Sequence, residues 1–451
     1  MKPAICFKLS FRTAFLSNPE INNLRPVTLQ TLFVPISSSS LLNIRFVITS
    51  AGGNAWCSFC FCRTHESATP AGYVRISNMF LRSIRANDFR NLEGDIQWGK
   101  GINVIHGNNG QGKTNWLEAI HLLAHAKSFR TRQLHEAIAF GKPAASVQGQ
   151  VCQGNDIERD LQVDIKANSR LTFINNKREP LAYYAAQLHA VWFTANELEV
   201  VRGGPEARRS FIDRGAISLH PSYAQTLSSY SKVIKQKKRL LQQAGEGRLK
   251  FEEVAELLEP WNEQLAALSA QIHRSRTSYV ELLNDALEHG LFGDTLSIRY
   301  VSSLEGKGDL NDYEDLIAQR LQLRKQAEVF AGACLIGPHR DDLGVLFGDR
   351  NLRSFGSSGQ QRSALITLDL AAISVYHSQH QDYPIFLIDD LDAELDGIRI
   401  ERLLEYLDGR TQTFVTTSKK NHFERFNQRA HFYEVSAGQA REDAALRAAI
   451  G

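Results

Sequence analysis

The chain has 451 residues, of which 43% are hydrophobic and 22% charged, and a formal net charge of +3. This length suggests about three domain-sized units with a substantial core, and the ordinary composition excludes collagen-like and low-complexity proteins. Charge is uneven: residues 1–78 hold seven Lys/Arg against Glu20 and Glu66, which leaves 79–451 near −2, with no overall attraction for a polyanion.

Residues 1–78 also carry four of the six cysteines. Three readings of this segment compete. It is Ser-rich, Arg-containing and acid-poor, as transit peptides are. Cys57-x2-Cys60-x-Cys62-x2-His65 has the spacing of a small thiolate metal site. Strand patterning starts only at Met79, the second of two methionines, so 1–78 is read foremost as a leader translated from a start called too early, or as a disordered tail. The apolar stretch 41–51 is interrupted by Arg45 and is too short to span a membrane. No later segment approaches a span. Beyond Met79 only Cys152 and Cys334 remain, which excludes a disulfide scaffold and fits a reducing, cytoplasmic setting.

From Met79 the pattern predicts strands over 79–87 and around 95–98, then the apolar run Ile102-Asn103-Val104-Ile105. Gly107-Asn108-Asn109-Gly110-Gln111-Gly112-Lys113-Thr114 follows at once and meets the phosphate-loop pattern G-x-x-x-x-G-K-[ST]. Trp116, Leu117, Ile120 and Leu123/Ala124 recur at helical spacing, which predicts a helix over 113–126. The glycines let backbone N–H groups turn inward around a polyphosphate, and the helix N-terminus adds its positive dipole end. Lys113 is expected at the β/γ-phosphates of ATP, and the Thr114 hydroxyl at Mg²⁺.

Short strands over 145–151, 161–165 and 171–174 suggest an antiparallel lobe, with Asn175-Asn176 marking a turn. At Pro205, well suited to a first helical position, the character changes to long helical patterns over 222–243, 251–288 and 313–330. The expected organisation is therefore an ATPase half over 79–200, a helical arm over 201–330 and a second half over 331–451. Two basic groups are candidates for DNA contact: Lys232, Lys235, Lys237, Lys238 and Arg239 on the first arm helix, and Lys127, Arg130 and Arg132 beside the phosphate-loop helix. Lone histidines such as His106 and His339 read as structural.

Strands are predicted over 333–336 and 343–346. Phe355-Gly356-Ser357-Ser358-Gly359-Gln360-Gln361-Arg362 then leads into an apolar helix over 364–375. Ser357-x-Gly359-Gln360 resembles the signature motif of ABC-type ATPases, where a small serine and glycine at a helix N-terminus suit a γ-phosphate presented by another subunit. Pro384-Ile385-Phe386-Leu387-Ile388-Asp389-Asp390 reads as a buried parallel strand ending in two carboxylates. Asp389 is expected in the Mg²⁺ shell, and Asp390 to orient or deprotonate the attacking water.

These motifs, in this order, resemble the RecF family of bacterial recombination-mediator ATPases related to SMC proteins. The likeness covers 79–451 and not 1–78. Asn87-Asp88-Phe89-Arg90-Asn91-Leu92 matches the family's opening with one extra residue, and the family places Arg90 at the nucleotide. Ser128-Phe129-Arg130-Thr131, Phe193-Thr194-Ala195-Asn196-Glu197-Leu198, Gly204-Pro205, Arg208-Arg209-Ser210-Phe211-Ile212-Asp213 and Gly337-Pro338-His339-Arg340-Asp341-Asp342 match further. Ala393-Glu394-Leu395-Asp396 corresponds to the D-loop. Gln412-Thr413-Phe414-Val415-Thr416-Thr417 sits where transporter ATPases carry a switch histidine.

The resemblance implies an α/β fold: an ABC-type P-loop ATPase head, a mixed sheet plus an antiparallel β lobe, with a helical arm inserted. It implies a homodimer closed by ATP sandwiched between subunits, with Gly359 and Gln360 beside Ser357 facing the partner's nucleotide. It also implies slow DNA-stimulated ATP turnover, binding to single-stranded or gapped DNA, work with RecR and RecO in loading recombinase, and support of SOS induction. The alternative is the nucleotide-binding subunit of another ABC/SMC-type machine. Against a transporter subunit stand the arm, Thr416/Thr417 and the 337–342 motif. The span between phosphate loop and signature is too short for a long SMC coiled coil.

Overall fold

The computed structural model describes residues 29–37, 40–51, 54–60, 79–154, 157–246, 251–287, 295–426 and 428–443. The chain divides into two units, Met1–Tyr73 and Val74–Gly451. In the first, the backbone of Leu29–Ser37, Ser40–Ala51 and Asn54–Cys60 forms a three-stranded antiparallel meander. The Cys57-to-His65 thiolate pattern lies outside the described side chains.

The second unit is built on a mixed six-stranded sheet. Its strands run in the order Ala190–Phe193, Ile385–Ile388, Thr413–Thr417, Ile102–His106, Ala430–Ser436 and Gln439–Glu442. The first five are mutually parallel and the last pairs antiparallel. Ile385–Ile388, Thr413–Thr417 and Ile102–His106 are buried at every position, as expected of parallel strands covered on both faces. A second, antiparallel sheet of six strands contains Met79–Phe89, Leu92–Gln97, Ala144–Gln153, Ile157–Lys166, Ser169–Ile174 and Lys177–Arg178. It is the predicted antiparallel lobe, and in its Ala144–Gln153 and Ile157–Lys166 strands buried positions largely alternate with half-buried ones. The phosphate-loop helix Lys113–His125 lies within the core shared by the two sheets, with Trp116, Ile120, Leu122 and Leu123 almost fully buried.

Pro205–Leu219 opens the helical region at its proline, followed by Tyr223–Gly245, Phe251–Leu287 and Tyr313–Ala331. The base of this arm is continuous with the head: one apolar core runs from Ile102 and Phe386 through Phe211 and Ile272 to Leu316. The 337–342 motif anchors it. Buried Asp341 accepts from Tyr300 Oη at 2.5 Å and from the Ser303 N–H at 2.7 Å. Arg208 grips Asp342 with two hydrogen bonds, and Arg276 does the same to Asp213 while donating to Pro338 O.

Three expectations change. Residues 333–336 form no strand. Cys334 and Ile336 are buried by the arm, but they belong to the connection into the Pro338–Arg340 turn. The strand partner of Asp342–Phe347 is Leu296–Val301, which the sequence reading passed over. The helix predicted over 364–375 spans Ser358–His380, starting at the signature residues themselves.

Candidate functional site

Gly107, Gly110 and Gly112 take φ of 141°, 79° and 113°, values that L-residues rarely adopt. A Cβ at Gly107 would stand 2.5 Å from Val435 O, so only glycine lets the loop pass the neighbouring strand. Lys113 is buried at the first helical position. Its ammonium donates to Gly107 O at 2.8 Å and Asn108 O at 3.1 Å, and lies 3.4 Å from Asn109 Oδ1. The cation is thereby folded over the mouth of its own loop, held by carbonyls that an anionic phosphate can replace.

Thr114, one residue on, donates its hydroxyl to Asp389 Oδ1 at 2.9 Å, across 275 residues of sequence. Asp389 ends the Ile385–Ile388 strand. Burial, the largest influence, raises its carboxyl above the usual range, against the hydrogen bonds from Thr416 and Thr114. Asp390 follows with φ 51° and ψ 50°, a left-handed residue that turns the chain off the sheet. Its carboxyl is also raised, by burial first and then by Asp392 and Asp389. Thr416, on the strand between the two motifs, donates to Asp389 Oδ1 at 2.7 Å and accepts from the Asp390 N–H at 2.7 Å. Thr417, at the end of that strand, donates to Asp392 at 2.7 Å, and Ser418 adds a second hydroxyl to the same carboxylate.

Two supports of the loop escaped the sequence reading. Glu118, fully buried on the phosphate-loop helix, accepts from Arg90 Nη2 at 2.7 Å, Arg90 Nε at 3.0 Å and Ser128 Oγ at 2.5 Å, with Arg130 Nη1 at 3.4 Å. This carboxylate gathers the Asn87–Leu92 and Ser128–Thr131 strings at one point. The guanidinium of Arg90 is engaged there and at Glu136 O. The second support is the Ala437-Gly438 turn. Its N–H groups donate to Gln111 Oε1 at 2.7 Å and Gln111 O at 2.8 Å, and Trp116 Nε1 donates back to Gly438 O. A Cβ on Gly438 would fall 1.9 Å from Asn91 O. Ala437 and Gly438 both take positive φ, and since alanine is not a residue that usually marks such a turn, only Gly438 signalled this hairpin in the sequence.

The signature residues lie apart from this cluster. Ser357 caps the Ser358–His380 helix in a reciprocal box: Ser357 Oγ accepts from the Gln360 N–H at 3.3 Å, and Gln360 Oε1 accepts from the Ser357 N–H at 2.9 Å. Ser357 is exposed, and Gly359 sits beside the Arg399 guanidinium. Among the described residues neither shares a hydrogen bond with the phosphate loop of the same chain. Arg362, one turn into the helix, donates to Glu394 at 2.5 Å.

On the arm, Lys232, Lys235, Lys238 and Arg239 are exposed along one helix. Lys237 does not belong with them. It falls four residues after Val233 and four before Leu241 on the inward face, fully buried and ion-paired with Glu328 at 2.6 Å. Lys127, Arg130 and Arg132 are all exposed; Arg132 pairs with Glu206, and Arg130 donates to Asn115 Oδ1 at 2.6 Å and so braces the loop. Among the described residues no three His, Cys, Asp or Glu gather as a metal cluster, and no helix is long and apolar enough to cross a membrane.

The donor set fits a magnesium nucleotide. Glycine amides at left-handed φ line the loop, and a Cβ at Gly110 would meet nothing within 4 Å, an open approach for phosphate. Thr114 and Asp389 offer adjacent hard oxygens, the ligands Mg²⁺ takes beside phosphates.

Comparison with known proteins agrees with this geometry. The RecF/RecN/SMC N-terminal domain family matches residues 80–441. The DNA replication and repair proteins RecF of Bacillus mycoides (strain KBAB4) and Bacillus cereus (strain B4264) are each 35% identical over 351 residues, which is 75% of this chain and 92% of theirs. Among solved structures, the recombination mediator protein RecF with ATPrS, in the RecFOR pathway, is similar at a TM-score of 0.74 and 26% identity, over 82% of this chain and 100% of that one. The same mediator with ATP gives 0.73 and 26%, over 83% and 99%.

Proposed function

The chain belongs to the RecF family, and from that membership and the site geometry we propose that it serves DNA replication and recombinational repair as an ATP-driven dimer clamp on single-stranded or gapped DNA. The observation that carries the reading is a split site. Lys113, Thr114 and Asp389 converge in one chain, while Ser357 stands exposed and Gly359 half-buried, and among the described residues neither is hydrogen-bonded to that chain's own loop. A second copy bringing its signature helix to the loop completes the site.

When bound, ATP with Mg²⁺ supplies the polyphosphate and the Lewis acid for transfer of the terminal phosphoryl group to water. The chain's own groups do the rest. N–H groups of residues 110–114 hold phosphate oxygens, and the Lys113 ammonium exchanges its loop carbonyls for them. Thr114 and Asp389 hold the metal shell. Asp390 orients the attacking water and takes its proton, and its raised affinity for a proton suits a base. Ser357 and Gly359 of the second copy close over the terminal phosphate. Hydrolysis removes the group that bridges the subunits, so turnover opens the clamp.

DNA contact is assigned to Lys232, Lys235, Lys238 and Arg239, a local basic stripe on a chain with little net charge. Arg130 serves the loop first. RecR and RecO are the expected partners in loading recombinase, with support of SOS induction as the downstream effect. Sedimentation with and without ATP and gapped DNA tests the whole reading. The expected result is a monomer alone, a dimer with ATP and a heavier ATP-dependent complex with DNA. A monomer under all conditions would overturn the clamp.

A further inference from the structure

We propose that Thr416 is a positioning residue of the site: one hydroxyl sets both the Asp389 carboxylate and the Asp390 backbone for metal-assisted ATP hydrolysis. The inference rests on the ATPase reading above.

The fold puts Thr416 where it can act on both. The Thr413–Thr417 strand lies between Ile385–Ile388, which ends at Asp389, and Ile102–His106, which leads into Gly107. Thr416 pairs with Ile105 in that register, two residues before the loop. The residue is 1% exposed, so its hydroxyl is shielded from bulk water. A threonine hydroxyl has one hydrogen and two lone pairs. The hydrogen goes to Asp389 Oδ1 at 2.7 Å, and a lone pair receives the Asp390 N–H at 2.7 Å.

Both bonds have consequences for the chemistry. Asp389 Oδ1 takes two hydroxyl hydrogens, from Thr114 and Thr416, which fixes the carboxylate plane and, among the described residues, leaves Oδ2 without a hydrogen-bond donor. Asp390 sits at φ 51°, where a non-glycine residue is held only by its surroundings, and its N–H is anchored on Thr416. Without that acceptor the turn relaxes, and the Asp390 carboxylate loses its aim at the water. Threonine here does a job that valine, nearly identical in shape, cannot. Thr417 does not substitute, since its own hydroxyl is given to Asp392.

The test compares Thr416→Val, which keeps the shape and removes the hydroxyl, with Thr416→Ser, which keeps the hydroxyl. One readout is independent of turnover: fluorescence of a ribose-labelled ATP analogue titrated with Mg²⁺. In Thr416→Val, metal-free nucleotide affinity should stay within about twofold, while the Mg²⁺ needed for half-maximal binding rises about tenfold, the size of a lost charge-assisted hydrogen bond. The kcat for ATP should fall by about tenfold or more with KM nearly unchanged. Thr416→Ser should return both to within about threefold of the native chain. If Thr416→Val fails to unfold cooperatively, Thr416→Cys, whose thiol is a weak donor and acceptor, carries the same expectation. Native Mg²⁺ dependence and kcat in the hydroxyl-free variant would overturn the inference. So would a serine variant as impaired as the valine one, because packing would then be the cause. A native chain that shows no Mg²⁺-dependent nucleotide binding would instead overturn the reading of the site itself.

Discussion

Asp390 and Asp389 are adjacent carboxylates with different surroundings. Asp389 is enclosed by two threonine hydroxyls, whereas Asp390 presents its side chain outward from a left-handed turn. Asp390→Asn keeps the size and the turn and removes the base. It should leave ATP affinity within about twofold and slow phosphate release by about a hundredfold or more, the span of a general base. Binding by calorimetry and single-turnover hydrolysis check both halves. A native hydrolysis rate would transfer the water-activating role to another group. Three buried or half-buried histidines, His121 and His125 toward the C-terminal end of the phosphate-loop helix and His189 just before the Ala190–Phe193 strand, make a second residue-scale expectation. Burial drives His125 down to about 3 and His189 to about 4, and His121 well below its ordinary value. Each folds neutral while its unfolded form takes a proton near pH 6.5. Their stabilisation is therefore complete above that value and is lost as pH falls from about 6.5 toward 3, by up to about 1.4 kcal/mol per pH unit for each group. The unfolding midpoint should drop between about pH 7 and pH 5, and His125→Gln should flatten the slope. Equal slopes in denaturant titrations of the two chains would mean that His125 charges freely in the fold.

Within the arm, the Tyr223–Gly245, Phe251–Leu287 and Tyr313–Ala331 helices enclose the Lys237–Glu328 pair, both members at most 1% exposed. Glu328 also accepts the Leu335 N–H at 2.7 Å, so one carboxylate fixes a cross-helix contact and the chain's exit from the arm. Leu241, Val254, Leu258 and Cys334 pack around it. Breaking such a pair strands a charge in an apolar setting, whereas replacing both members can be nearly neutral. Lys237→Met should cost about 3 kcal/mol, and the double change Lys237→Met with Glu328→Leu should recover most of it. Chemical denaturation of the single and double variants measures the difference. A double variant as unstable as the single would show that losing the carboxylate's bond to the Leu335 N–H costs as much as removing the stranded charge returns.

At the scale of the whole molecule, the proposed clamp depends on a contact between two copies of the chain. The signature helix starts with its capping residue exposed, and Arg362 links it through Glu394 to the turn that follows Asp390. In a two-copy assembly this bridge joins the part serving one nucleotide to the part serving the other. Ser357→Arg leaves Lys113, Thr114 and Asp389 untouched, so ATP affinity of the monomer should stay within about threefold. The same change puts a bulky cation where a small donor must pack, and it should abolish ATP-dependent dimerisation and the DNA-stimulated component of hydrolysis. Sedimentation of the variant with ATP checks this. A normal dimer would mean that the signature helix does not close the site.

Sequence alone determined what is written in consecutive residues. The phosphate loop, its helix, the apolar strand ending in Asp389-Asp390 and the capped start at Ser357 depend on local spacing, on glycine's access to left-handed φ and on side chains that bond within a few residues. The three arm helices were legible to within two residues at their ends for the same reason. Tertiary structure decided what depends on adjacency. Thr416 reaches Asp389 only because its strand is inserted between two others, and Glu118 gathers Arg90, Ser128 and Arg130 only once the helix is packed beneath them. Lys237 reads as one more cation in a basic run until the helix face is known, and 333–336 reads as a strand because burial selects apolar residues whether or not a neighbouring strand is there to pair. Strand order and the partner of a buried charge are set by which distant segments share the core, and a one-dimensional pattern does not carry that information.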